Sequence, residues 1–183
     1  MADKQFWTNS QATMDPKRGF RFKISFQNLG SHLWYAKKCD RPTLSFTETK
    51  HDYLNHSFYW PARAEWNEVT MTLVDPVEPD IATSLLTFIK GAGYDIPTGA
   101  DGNLTSMSKF KATENTGPVV IQMINEAGTP IEFWKLNKAW IKEVDFSEVD
   151  YSNDDLSEVT VKLRYDWATF SKAGQGGEIF KGP

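Results

Sequence analysis

The sequence has few residues of the kinds that build metal sites and thiol chemistry. Its 183 residues include one cysteine, Cys39, and three histidines. A single cysteine excludes a disulfide within the chain and a thiolate cluster for zinc. His51 and His56 are the one close pair of histidines, and their spacing is neither the helical nor the strand spacing that points two imidazoles at one metal. We therefore predict no metal site and no cofactor.

Motifs for nucleophilic catalysis and phosphate binding are also absent. No G-x-S-x-G occurs, and the final GQGG lacks the Lys-Ser/Thr pair of a phosphate loop. Asp40 follows Cys39, and a neighbouring carboxylate raises the pKa of a thiol and works against the reactive thiolate. We predict that the protein is not an enzyme. An enzyme that uses the dense carboxylates between Glu143 and Glu158 is the weaker alternative.

The chain lacks an excess of basic charge and lacks long apolar runs. Its formal net charge is -4 and its sequence pI is about 5.4, whereas proteins that hold nucleic acid tightly gather Lys and Arg to replace counterions. No run approaches the roughly 20 apolar residues that a membrane-spanning helix needs. We expect neither tight DNA binding nor membrane insertion.

Short alternating segments dominate what is present. FKISF, VTMTLV and PVVIQMI each place apolar residues at every second position, which is typical of strands with one buried face. We predict a mainly β fold, a β-sandwich or partly closed barrel of about seven or eight strands with one flanking α-helix. The predicted segments are an N-terminal arm (1–19), a β domain (20–170) with a helix at about 79–90 and a long exposed loop at 94–117, and a flexible tail (171–183).

Residues 155 to 170 show this alternation most clearly. Val159, Val161 and Leu163 are on one side of the predicted strand and are expected in the core. The opposite side faces solvent or a neighbouring chain, and it carries Glu158, Lys162, Arg164 and Asp166.

Aromatic residues are frequent, and seven of them are tryptophans. Trp34, Trp66 and Trp167 fall on predicted strands, where large aromatics usually belong to the core. The stretch from Asp52 to Arg63 has aromatic residues without a steady period, which favours contact with another chain. A carbohydrate-binding module that stacks sugars on Trp60 is the alternative interpretation.

Several segments together resemble the tail tube proteins of contractile-tailed, T4-like bacteriophages. The resemblance covers about Phe20 to Phe170 and is carried by FKISFQNLG returning to a strand that ends at CDRP, by EWNEVTMTLVDP before a helix, and by AWIKEVDFSEVDYSNDDLSEVTVKLRYDW. Its most specific positions are Trp66, Ala139-Trp140 and Tyr165-Asp166-Trp167. The sequence has Ile141 where that family often has proline, so the branch of the family stays open. Baseplate tube initiators and tube proteins of secretion or injection systems share the fold.

The resemblance implies a structural virion protein whose hexameric rings stack into a tube for DNA passage. It implies self-assembly and contact with sheath, baseplate and tail terminator proteins, while genomic DNA and the tape-measure protein pass through without tight binding. It also implies a phage tail as location, with assembly in the host cytoplasm. In this setting the candidate lumen-facing residues are Thr43, Ser45, Thr47, Thr49, Glu68, Thr70 and Thr72. The candidate subunit-interface residues are Phe6, Trp7, Tyr53, Phe58, Tyr59, Trp60 and Arg63. The candidate outer or neighbour-facing residues are Glu158, Lys162, Arg164 and Asp166.

Overall fold

The computed structural model describes residues 16–26, 35–98, 106–152, 154–174 and 177–182. The predictions for Phe6, Trp7 and Trp34 fall outside the described residues. The described strands are β1 (Phe22–Phe26), β2 (Ala36–Cys39), β3 (Leu44–Tyr53), β4 (His56–Trp66), β5 (Val69–Val74), β6 (Val119–Ile124), β7 (Pro130–Asn137), β8 (Trp140–Phe146), β9 (Glu158–Arg164), β10 (Trp167–Lys172) and β11 (Glu178–Ile179). The helices are α1 (Ile81–Gly91) and α2 (Lys109–Thr116).

The strands form two antiparallel sheets and a separate two-stranded ribbon. Sheet 1 has the order β1-β6-β7-β10-β11, sheet 2 has the order β2-β5-β9-β8, and β3 pairs with β4 alone. The two sheets enclose one core and are not closed into a barrel. The predicted β-sandwich class is confirmed, although the described residues contain more strands than predicted and a second helix.

Alternation along the strands builds this core. Val69, Met71 and Leu73 of β5 are fully buried, and they lie opposite Leu163, Val161 and Val159 of β9. Ile24 and Ile121 provide the facing layer from sheet 1. Directly paired residues of an antiparallel sheet lie on the same face. The apolar positions of one strand therefore face the core together with the apolar positions of the strand beside it.

Helix α1 is one of the two helices that pack beside β8. Asp80 caps its N-terminus, since the Asp80 side chain accepts a hydrogen bond from the Thr83 backbone N–H at 3.0 Å, and Ile81 and Leu85 are buried. The cap matches the preference for a short polar acceptor at this position. Neither described helix has the length and apolar character required to span a membrane.

Helix α2 lies where a long exposed loop was predicted at 94–117. Ser108 caps its start by accepting a hydrogen bond from Lys111 N at 3.2 Å, and Gly117 follows its end with φ of 65°. Only Ala112 and Thr116 of this helix are buried, so the apolar periodicity was too weak to detect. The Asn115 side chain also donates to the Phe88 carbonyl of α1 at 2.5 Å, a tertiary contact that the sequence does not reveal.

The segment predicted as a flexible tail also differs from the expectation. β10 extends to Lys172, and β11 pairs with it through Phe170–Ile179 and Ser171–Glu178. The Phe180 ring contacts Trp66 edge-on, with 5.7 Å between ring centroids. Gly182 lies so close to the Trp167 indole that a Cβ there would come within 2.3 Å of it. The described tail residues therefore cover two tryptophans.

Candidate assembly surfaces

The β3–β4 ribbon is the most unusual feature of the described chain. Its strands have 10 and 11 residues and pair with each other along their whole length without joining either sheet. At about 3.3 Å per residue the ribbon is on the order of 30 Å long. Almost every residue in it is exposed. A two-stranded hairpin is marginally stable in water by itself, so this element is suited to contact with another chain.

The outer half of the ribbon has two chemically different faces. Cross-strand register places Thr49 opposite Trp60, His51 opposite Phe58 and Tyr53 opposite His56. The Phe58 ring lies 4.7 Å from His56 and 6.0 Å from Trp60 between centroids. We call this surface the aromatic face. The reverse face carries Glu48, Lys50, Asp52, Ser57, Tyr59 and Pro61.

The tip and base of the ribbon have distinct backbone features. The chain turns at Leu54, which has φ of 52° and is 90% exposed. Positive φ is uncommon for a residue other than glycine. Near the base the register shifts between Phe46 and Glu48, and Thr47 accepts a hydrogen bond from Arg63 N at 3.0 Å there. The hydroxyl of Thr47 therefore supports the irregular pairing of the ribbon.

The structure does not separate the predicted lumen-facing and interface residues of this ribbon. Ser45, Thr47 and Thr49 were assigned to a lumen, whereas Tyr53, Phe58 and Trp60 were assigned to an interface. The alternation of β3 and the pairing of Thr49 with Trp60 put both sets on one side of the ribbon. Which environment each part of this side meets stays a prediction. Tyr59 lies on the reverse face, Arg63 lies beside Thr47, and Thr43 precedes the ribbon with its hydroxyl donating to the Arg41 carbonyl at 3.4 Å.

The second candidate surface is the polar face of sheet 2. Thr70 and Thr72 of β5 pair directly with Lys162 and Thr160 of β9, so their side chains share this face. The Glu68 carboxylate accepts a hydrogen bond from the Lys142 ammonium at 2.5 Å and lies 3.9 Å from the Arg164 guanidinium. The Lys162 ammonium forms an ion pair with Glu143 at 2.8 Å. Its acidic residues are Glu68, Glu143, Asp145 and Glu158, and its basic residues are Lys38, Lys142, Lys162 and Arg164.

These contacts shift the pKa values of two groups on the face, Glu68 and Lys162. The hydrogen bond from Lys142 lowers the pKa of Glu68, and the hydrogen bond to Glu143 raises the pKa of Lys162. Both groups therefore remain charged near neutral pH, and each is paired with an opposite charge of the same chain. Such a surface has few free charges with which to hold a polyanion.

Strand pairing brings two sets of predicted surface residues together on one face of sheet 2. Glu68, Thr70 and Thr72 were assigned to one surface, and Glu158, Lys162 and Arg164 were assigned to another, yet pairing of β5 with β9 puts them on one face. Asp166 lies apart from them at the corner between β9 and β10. Its carboxylate binds Lys109 of α2 at 2.7 Å. Which environment the polar face meets stays a prediction.

The described residues offer little for catalysis. They contain no group of three or more His, Cys, Asp or Glu side chains placed to hold a metal ion. Burial raises the pKa of the Cys39 thiol to about 12, with a smaller contribution from Asp40. The acidic stretch is divided among separate contacts, because Glu143 binds Lys162, Glu158 binds Lys37 and Asp150 accepts from Ser152.

Sequence reasoning missed a patch at the opposite end of sheet 2 from the ribbon. The ribbon leads into β5 at Val69, whereas the loop between β8 and β9 lies beside the other end of β5, where Asp75 N donates to the Ser157 carbonyl at 2.9 Å. We call the exposed apolar residues there the far-end patch, which consists of Val77, Val149, Tyr151 and Leu156. The isolated positions of these residues in polar loops gave no periodic signal.

Comparison with known proteins gives matches in structure and none in sequence. No protein-family model matches the sequence, and no curated protein matches it. Among solved structures, the chain resembles one from the cap that terminates the tube of the anti-feeding prophage, with 15% identity, a TM-score of 0.65, and 94% of this chain and 100% of that chain covered.

Two further structures have the same fold over most of their length. A chain of the sheath-tube complex of an extracellular contractile injection system in the extended state gives 14% identity and a TM-score of 0.63, covering 88% of this chain and 95% of that chain. A chain of the anti-feeding prophage baseplate gives 12% identity and a TM-score of 0.61, covering 88% and 99%. At this identity the similarities establish a fold shared with components of contractile injection systems.

Proposed function

We propose that the protein is a structural tube subunit of a contractile, tail-type particle, and that it assembles into hexameric rings stacked around a channel. The observation that carries this proposal is the exposed β3–β4 ribbon, with its aromatic face, on a sandwich whose fold occurs in contractile injection systems. Exposed Tyr, Trp and Phe side chains on a projecting element are effective anchors for a protein partner. A second copy of the chain is the partner that a tube requires.

The positions of the two exposed apolar surfaces support head-to-tail stacking of rings. The ribbon leaves one end of sheet 2, and the far-end patch (Val77, Val149, Tyr151, Leu156) lies at the other. A contact between different surfaces of identical subunits repeats without closing when one copy is displaced along an axis, which produces a filament. We infer that the ribbon of one ring contacts the far end of the next ring.

The polar face of sheet 2 is our candidate for the channel wall. Two ion pairs, Lys142 with Glu68 and Lys162 with Glu143, lie on this face, and threonines lie between them. A surface with self-neutralised charge and small hydroxyl groups gives DNA few sites at which to release counterions. This proposal replaces the two separate surfaces that the sequence suggested.

The resemblance in sequence favours the tail of a T4-like phage, where the channel carries genomic DNA and the tape-measure protein and the tube contacts a sheath, a baseplate and a terminator. In that case the protein belongs to the virion and assembles in the host cytoplasm. The structural neighbours favour a second setting, the tube of an extracellular injection particle. A tube-initiating baseplate component is the third form of the same proposal.

Negative-stain electron microscopy of the purified chain, at low and high protein concentration, tests the proposal. Six-fold rings or hollow tubes are expected, with more stacking at high concentration. A variant with both Phe58→Ala and Trp60→Ala is expected to remain folded and to give fewer assemblies. A monomer at every concentration, including after addition of preformed tube ends from a related particle, contradicts the proposal. A shift of tryptophan fluorescence with an oligosaccharide would instead favour the carbohydrate-binding alternative.

A further inference from the structure

Glu132 is a buried carboxylate at the margin of the core. It lies on β7, on the same side of the strand as the buried Leu136, and only 4% of its side chain is exposed. Burying a charge is costly unless partners compensate for it. A glutamate in this position therefore requires an explanation that core packing does not supply.

Three donors from different parts of the chain surround this carboxylate. The Lys17 ammonium binds Oε2, the Arg41 guanidinium lies 3.6 Å from Oε1, and the Trp134 indole N–H donates to Oε1 at 3.0 Å. Burial raises the pKa of Glu132, but the hydrogen bonds from Lys17 and Trp134, with the charges of Lys17 and Arg41, outweigh burial and leave the pKa lowered. The side chain is therefore held as an anion.

The two cations lie where two segments that are predicted to make subunit contacts, the N-terminal arm and the ribbon, join the sandwich. Lys17 lies near the beginning of the described chain, in the last part of the segment 1–19 that is predicted to form the N-terminal arm. Arg41 lies between β2 and the ribbon strand β3. One buried carboxylate thus contacts the base of the arm and the base of the ribbon, although these segments are separated in sequence by β1 and β2.

We propose that Glu132 is a positioning residue for assembly, which fixes together the points where the arm and the ribbon leave the sandwich. This inference relies on the proposed tube function. The ion cluster suits positioning better than stability, because replacing a whole buried ion pair by well-packed apolar residues often leaves stability unchanged or improved, and removing one partner is costly mainly when the other charge stays buried. Lys17 and Arg41 are 54% and 59% exposed, so water can solvate both cations when the carboxylate is removed.

The test compares Glu132→Gln with Glu126→Gln. Glu126 is a matched control, since it lies in the turn before β7 and its exposed carboxylate makes only a long contact of 3.8 Å with Arg21. The first measurement is the critical concentration for assembly, determined by sedimentation. We expect Glu132→Gln to raise it about tenfold or more, and Glu126→Gln to leave it within about twofold, since each tenfold change corresponds to about 1.4 kcal/mol.

Thermal unfolding of the unassembled chain separates positioning from a merely structural role. Because the subunit is folded both before and after assembly, a change that affects only folding leaves the critical concentration unchanged. We expect the unfolding midpoint of Glu132→Gln to remain within about 4 °C of the parent chain, the shift that about 1 kcal/mol produces in a chain of this size. An unchanged critical concentration, whatever the midpoint, overturns the proposal.

Hydrogen exchange on the unassembled chain provides a readout that does not depend on tube formation. Glu132→Gln is expected to speed exchange in peptides that cover residues 16–21 and 40–44, and to leave β9 unchanged. If the parent chain never assembles but exchange changes in this way, the proposed function fails while the anchoring role stands. Exchange that becomes faster throughout the chain contradicts the anchoring role of Glu132. So does exchange that becomes no faster at residues 16–21 and 40–44. If Glu132→Gln does not fold, Arg41→Gln provides the same comparison for the ribbon base alone.

Discussion

Cys39 shows how the environment of one residue decides its chemistry. The sequence shows only that Asp40 follows it and disfavours the thiolate. In the structure, burial contributes more than Asp40 and raises the thiol pKa from its ordinary value of 9.0 to about 12. The direction of the sequence argument was right, but the larger cause depends on how β2 packs beside β5.

We predict that the Cys39 thiol reacts slowly while the chain is folded. At pH 8 the shifted pKa lowers the thiolate fraction by about a thousandfold, so labelling by a disulfide reagent is expected to become fast only in denaturant. The raised pKa also means that the folded chain binds this proton more tightly than the unfolded chain does. This contribution to stability is present below about pH 9 and is lost as pH rises towards 12.

A matched variant checks the second part of this prediction. Cys39→Ala removes the titrating thiol. As pH rises above 9, the free energy of unfolding of this variant is therefore expected to fall less than that of the parent chain. Rapid labelling of the folded chain at pH 8 would contradict the burial of the thiol.

Glu132 is the residue that sequence reasoning missed. In PIEFWKLN it occupies a position of the apolar alternation, where a charge looks like an interruption of the pattern. Its partners Lys17 and Arg41 are distant in sequence, so no local spacing identifies the cluster. Only the fold brings the three segments together.

At the scale of elements, the ribbon was anticipated as an aromatic segment but not as a hairpin. The stretch from Asp52 to Arg63 appeared irregular because it contains the turn at Leu54 and ends in the register shift between Pro61 and Ala64. Once the two strands are paired, Phe58 and Trp60 of β4 and His51 of β3 fall on one face. The two-residue alternation is present in β3 and in β4, but the turn between them interrupts it.

We predict that the two faces of the ribbon differ in their importance for assembly. Trp60 and Tyr59 are adjacent and similarly exposed, at 51% and 58%, but lie on opposite faces. Trp60→Ala is expected to raise the critical concentration at least about 30-fold, corresponding to a hot spot of about 2 kcal/mol. Tyr59→Ala is expected to change it by less than about threefold. Sedimentation measures both.

Thermal unfolding of the unassembled variants serves as the control for the ribbon prediction. Because both side chains are exposed, their removal is expected to leave the unfolding midpoint nearly unchanged. Equal effects of the two substitutions on assembly would show that the aromatic face has no special role.

At the scale of the whole molecule, the question is what the polar face of sheet 2 meets. We predict that it lines the channel, and that Thr72→Lys gives tubes that retain linear double-stranded DNA at low salt and release it at high salt. An unpaired lysine adds a site for phosphate, and its effect weakens as salt increases. Co-sedimentation of DNA with tubes measures retention.

Closed circular DNA distinguishes the channel from the outer surface. A closed circle cannot enter a bore from its end, so Thr72→Lys tubes are expected to retain linear DNA only. Thr129→Lys places the same charge in the exposed turn before β7 and serves as the control. Retention of circles would place the polar face outside the tube, and loss of assembly in Thr72→Lys would place it at an interface.

The sequence by itself determined the β-sandwich class, the core faces of β5 and β9, and α1, because these features depend on the period of apolar residues along one segment. Only the tertiary structure decided α2, the docked tail, the Glu132 cluster and the common face of β5 and β9. Each of these depends on contacts between distant segments or on the register between strands. Alternation shows that a strand has two faces, but the pairing of strands decides which side chains share one.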